Sequence, residues 1–157
     1  MRFLRSLLLA LVLGANARAA SVDEIGQVLD RFHAAASAAQ FETYFSLFAP
    51  DGVFIGTDAS ERWTVDAFKA YAKPHFDKGR GWTYVPHDRH IDVSPDGQYA
   101  WFDELLDNQG LGVCRGTGVL RKIGNAWKIE QYHLTIPVPN ALADEVVKLI
   151  KAPRQPS

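Results

Sequence analysis

The chain has 157 residues, one domain's worth, and its 47% hydrophobic and 22% charged composition excludes an intrinsically disordered protein. Seventeen basic residues against eighteen acidic ones leave no electrostatic footprint for nucleic acid. No block of like charge suggests a polybasic membrane anchor.

Residues 1–19 read as a cleavable secretory signal. Arg2 and Arg5 make a positive start, Leu7 to Leu13 (LLLALVL) is a short apolar core, and Ala17-Arg18-Ala19 fits the small-x-small rule of signal peptidase. The apolar run is well short of the roughly twenty residues that span a bilayer, which argues against a retained anchor. No cysteine follows it, which argues against a lipoprotein. Cleavage after Ala19 removes Arg2, Arg5 and Arg18, leaving 14 basic and 18 acidic residues and a net charge of −4. The expectation is a periplasmic or secreted protein, free of the membrane after cleavage, with residues 20–157 as one domain.

Cys114 is the only cysteine, so no intramolecular disulfide exists, and a buried position in a strand is expected for it.

Ser21 and Glu24 have capping-box spacing, and Ile25, Val28, Leu29, Phe32, Ala35, Ala36 and Ala39 mark one face of a first helix. Phe41, Tyr44, Phe45 and Phe48 predict a short second helix that ends at Pro50-Asp51-Gly52. Val53-Phe54-Ile55 reads as a short strand and residues 57–63 as a polar loop. Thr64 is the N-cap of a third helix carrying Phe68, Tyr71 and Phe76 inward, which Pro74 should bend or finish. Four strands follow, Trp82 to Val93, Gln98 to Asp107, Leu111 to Lys122 and Ala126 to Pro137. Pro95-Asp96-Gly97, Asn108-Gln109-Gly110 and Gly124-Asn125 separate them as an antiparallel meander. An amphipathic helix capped by Asn140 closes the chain from about Ala141 to Lys151. Helices first and long strands after predict an α+β fold on one core.

Three strings carry a family resemblance. FETYFSLFAPDGVFIG, SPDGQYAWFDE and, above all, RGTGVLRKIGNAWKIEQYHLTIPVP resemble the SnoaL-like domains of the nuclear transport factor 2-like superfamily, over a core of residues 22–140. The resemblance implies a strongly curved antiparallel sheet wrapped around the N-terminal helices as a cone open at one end. It also implies a pocket for a small molecule, and frequent homodimers through the sheet. Isomerases, cyclases and dehydratases share that fold with binding modules that have no chemistry, so function must be argued from the site.

Period-two alternation puts Trp127, Ile129, Gln131, His133 and Thr135 on one face of the last strand. The apolar members suggest that this face turns into the cone, which makes His133 a candidate general base and Gln131 a pocket residue. Arg115, inside RGTG, is either a solvated charge or an inward charge needing a carboxylate. Asp103 and Glu104 are the partners available, on opposite faces of the preceding strand, and Glu104 is the one expected inside. A Glu104–Arg115–His133 cluster would orient a substrate carbonyl or carboxylate, or would simply be a buried ion pair that sets strand register. Trp63, Trp82 and Tyr44 are candidate pocket walls, and Trp63 a candidate rim.

His87, His90 and Asp92 raise a metal question, but histidines three apart on a regular strand face opposite sides, so no metal site is expected. No cofactor motif is present either. The expected function is small-molecule binding in the cone, with cofactor-free isomerisation, dehydration or hydrolysis if chemistry occurs. The alternative is a non-catalytic binding module, or a dimeric interaction module with a filled cone.

Overall fold

Helix α1 forms where apolar side chains recur at helical spacing, and it is helical over residues 21–37 of the computed structural model, which describes residues 21–152. The expected leader, residues 1–19, lies outside the described residues. Ile25, Leu29, Phe32, Ala35 and Ala36 are all buried along one stripe of α1, and Ala39 turns the chain with φ 52°. Helix α2 (Phe41–Ser46) buries Tyr44 and Phe45.

Strand β1 (Phe48–Ile55) begins earlier than the sequence suggests, and Pro50-Asp51-Gly52 is an irregularity inside it rather than a turn. The reason is a pairing only the folded chain supplies. β1 runs parallel to the last strand, with Phe48 opposite Ile129, and the Ile129 amide donates to the Leu47 carbonyl at 2.8 Å. Part of the expected polar loop is strand β2 (Arg62–Thr64), which sets Trp63 opposite Phe54. Thr64 Oγ1 accepts from the Ala67 amide at 3.3 Å and caps helix α3 (Val65–Phe76), in which Pro74 is accommodated in the last turn without ending the helix.

Strands β3 (Val85–Val93), β4 (Tyr99–Asn108), β5 (Gly112–Ile123) and β6 (Ala126–Thr135) form the meander. The six-stranded sheet has the order β2-β1-β6-β5-β4-β3. Its inner face carries Phe102, Leu106, Cys114, Leu120, Ile129 and Leu134 against the buried stripe of α1 and the aromatic faces of α2 and α3. Beyond a 3₁₀ turn (Asn140–Leu142), helix α4 (Ala143–Lys151) has no side-chain cap, and Leu149 and Ile150 remain 75% exposed.

Two bulges govern which side chains look inward. On β3, His87 pairs with Leu105 and His90 with Asp103, so Asp88 and Arg89 together oppose Glu104; Asp88 takes φ 47° to allow it. On β6, Ile129 pairs with Leu120 and Gln131 with Val119, which leaves Glu130 as an extra residue. Each bulge inverts the inside–outside alternation of its strand from that point on.

Candidate functional site

Alternation along β4 sends Ala100, Phe102, Glu104 and Leu106 inward, and Glu104 is fully buried. A buried carboxylate persists only if its oxygens are hydrogen-bonded and its charge is balanced. Glu104 meets both conditions. His33 Nε2, from α1, lies 2.7 Å from its Oε1, and the Tyr132 hydroxyl donates to the same oxygen at 3.2 Å. Arg89 Nε donates to Oε2 at 2.7 Å. The Arg89 guanidinium reaches on to α1, where Nη1 donates to Asp30 Oδ1 at 2.7 Å and to the Gly26 carbonyl at 3.2 Å. One polar chain thus ties α1 to β3, β4 and β6.

The electrostatics follow from this packing. Burial works to lower the pKa of Arg89, but Glu104 and Asp30 outweigh it and hold the guanidinium above its ordinary value. Burial pushes the Tyr132 phenol well above its ordinary value, and the adjacent Glu104 charge pushes it further.

Beside this cluster lies a cavity of about 190 Å³. His33, Glu61, Tyr44 and Tyr132 are among the polar residues lining it; Phe32, Phe54, Phe68, Trp63, Trp82 and Tyr84 supply aromatic walls. The half-exposed Tyr71 and Leu111 also line it and mark where it meets solvent. Trp63 lies nearly parallel to Phe68 (5.5 Å, 5°) and to Tyr71 (5.0 Å, 18°), so several rings share one plane direction. Tyr44 stacks on Phe32 at 4.6 Å, and burial raises its phenol pKa far above the ordinary value. Nearby Trp82 tempers that rise, although the Tyr44 hydroxyl has no hydrogen-bond partner among the described residues.

Of the residues singled out from the sequence, Tyr44, Trp63 and Trp82 line the cavity and Glu104 sits in the buried cluster. Four others fall elsewhere. Asp103 points outward and lies 3.3 Å from His90. Arg115 is exposed on the outer face, in register with Leu105 and Thr135. His133 and Gln131 are on the outer side too, because the Glu130 bulge turns Tyr132 and Leu134 inward in their place. The expected Glu104–Arg115–His133 cluster therefore does not form. Its parts are played by His33, Arg89 and Tyr132.

His33 was findable, since it stands four residues after Leu29 and eight after Ile25 and so shares their apolar stripe. Arg89 was not, because only the β3 bulge turns it inward. The same bulge puts His87 and His90 on one face, against the alternation argument. His87 lies near Asp88 and Asp107 and His90 near Asp103, and no group of three or more metal-ligating side chains assembles among the described residues. Among those residues, too, no helix is long and apolar enough to cross a membrane.

A curved sheet closed over helices around an aromatic cavity, with a histidine–carboxylate pair beside it, defines a class of small α+β cones. The chain belongs to the SnoaL-like domain family, whose profile matches residues 25–139. No curated protein matches it in sequence. Among solved structures it is similar to a nuclear transport factor 2-like protein of unknown function from Pseudomonas putida KT2440 (18% identity, TM-score 0.67, covering 78% of this chain and 90% of that one). It is also similar to a protein from Streptomyces avermitilis described provisionally as a dehydratase of the same fold family (17%, 0.64, 75% and 96%). A third, from Novosphingobium aromaticivorans, is described provisionally as a scytalone dehydratase (15%, 0.65, 79% and 89%). At these identities the likeness concerns the fold.

Proposed function

We propose that the protein binds a small, mostly apolar organic molecule in the cavity and moves a proton on it without a cofactor, as an isomerase, dehydratase or hydrolase does. The observation that carries this reading is the His33 imidazole, which lines the cavity while its Nε2 is held 2.7 Å from a fully buried carboxylate. Glu104 fixes the ring's orientation and balances positive charge on it, so His33 is the proton carrier and Glu104 the positioning residue. Tyr132 and Arg89 hold Glu104. The provisional dehydratase descriptions of two structural neighbours agree with this class of chemistry.

The test is solvent-deuterium exchange at the α-carbon of small cyclic hydroxyketones, followed by NMR. Wild-type protein should accelerate exchange, and His33→Asn should lower the rate by about a hundredfold or more while still binding the ketone. Glu104→Gln, nearly isosteric, should fold and lower the rate as well. Binding without exchange in the wild type would sink the catalytic reading. It would leave a carrier or sensor, which the small exposure of His33, 6%, favours as the second reading.

We further propose export and homodimerisation. The leader-like residues 1–19 support the first, and mass spectrometry of the protein from cells should find a mature N-terminus at Ala20. Exposed Trp101 and Val113 on the outer sheet face support the second, which sedimentation equilibrium would test.

A further inference from the structure

The cavity's size, charge and one anchored carboxylate narrow the ligand further. An apolar cavity of roughly 150 Å³ holds a benzene, while pockets for drug-sized ligands begin near about 300 Å³. At about 190 Å³ the space suits one ring with small substituents. The near-parallel planes of Trp63, Phe68 and Tyr71 favour a flat one.

Charge narrows it again. Among the described residues that line the cavity there is no lysine or arginine; besides His33 and the tyrosines, the one ionisable side chain is Glu61. Arg89 is engaged by Glu104 and Asp30. An anionic ligand would surrender its hydration among aromatic walls and meet the Glu61 carboxylate, while His33 is already paired with Glu104.

Glu61 is held in place. Its Oε2 accepts from the Asp58 amide at 3.1 Å, and the Gly56 amide donates to its carbonyl at 2.8 Å. The side chain lies so close over Gly56 that a β-carbon there would run into Oε2. No described residue donates to Oε1, which is left to take an O–H or N–H from a ligand.

We infer that the cavity takes a single-ring molecule with no negative charge and at least one O–H or N–H donor, and that Glu61 enforces this choice. This rests on the reading of the cavity as a ligand site. It is tested by calorimetric titration of the full chain at neutral pH with three matched rings, para-cresol, para-methylanisole and para-hydroxybenzoate. Para-cresol should bind about tenfold or more tighter than either of the others. Glu61→Gln, which keeps the size and removes the charge, should shrink the cresol-to-hydroxybenzoate ratio to about threefold or less. Equal affinities in the wild type would overturn the inference, and an unchanged ratio in Glu61→Gln would overturn the assignment to Glu61. If none of the three rings binds, the ligand-site reading falls and takes this inference with it.

Discussion

A β-carbon on Gly116 would collide with the Tyr132 hydroxyl, the group that donates to Glu104 at 3.2 Å. The same β-carbon would stand 3.1 Å from Glu104 Oε1. Glycine at this place on β5 leaves room for the phenol from β6 to reach the carboxylate from β4. Gly116→Ala should destabilise the protein by about 1–3 kcal/mol through overpacking in urea unfolding. In the Tyr132→Phe background, where the clashing oxygen is gone, the added cost should shrink by at least ~0.5 kcal/mol. Additive costs would mean that the two positions do not compete for this space.

Arg89 bridges a buried end and an exposed one. Its own side chain is 15% exposed, Glu104 is fully buried, and Asp30 is 67% exposed. Arg89→Met removes the cation from a fully buried carboxylate and should cost about 3–5 kcal/mol. Asp30→Asn alters only the solvated end and should stay within about 1 kcal/mol. Chemical denaturation of both variants gives the ranking, and a reversed order would show that the Glu104 end is not where the cluster's stability lies.

The two buried phenols set a limit at high pH. Tyr44 and Tyr132 both have pKa values raised above 10.0 by burial, with Glu104 adding to the rise at Tyr132. In the unfolded chain they ionise near about 10. The stability they contribute is thus fully present below that pH and is lost as pH rises above it, because the unfolded state then holds fewer protons than the native one. Urea-derived stability should be flat for these groups up to about pH 9 and then fall, approaching about 2.7 kcal/mol per pH unit while both stay protonated in the native state. Tyr132→Phe should lower the measured slope by about 1.4 kcal/mol per pH unit. Normal tyrosinate absorbance from all five tyrosines of the native protein near pH 10 would contradict the prediction.

Much of the fold is legible in the sequence. The apolar stripe of α1 and the turn residues between the strands identify the element types and their order, since both depend on neighbours a few positions away. Glu104 and the cavity aromatics Tyr44, Trp63 and Trp82 could be picked out on the same grounds. That Glu104 would meet those particular partners could not. His33 stands 71 positions from it, and nothing local in either segment announces the other.

The faces of β3 and β6 belong to the tertiary structure alone. Alternation predicts a side only while residues pair one to one across the ladder, and the extra residues at Asp88–Arg89 and at Glu130 break that count. Glu130 is not a residue type that marks a bulge, and Asp88, although aspartate tolerates a positive φ, is one of many aspartates in the chain. The chain itself determined a curved α+β cone with a carboxylate turned inward. The three-dimensional packing decided that Arg89, His33 and Tyr132 would meet that carboxylate, because a buried charge takes whichever donors the folded chain brings within reach.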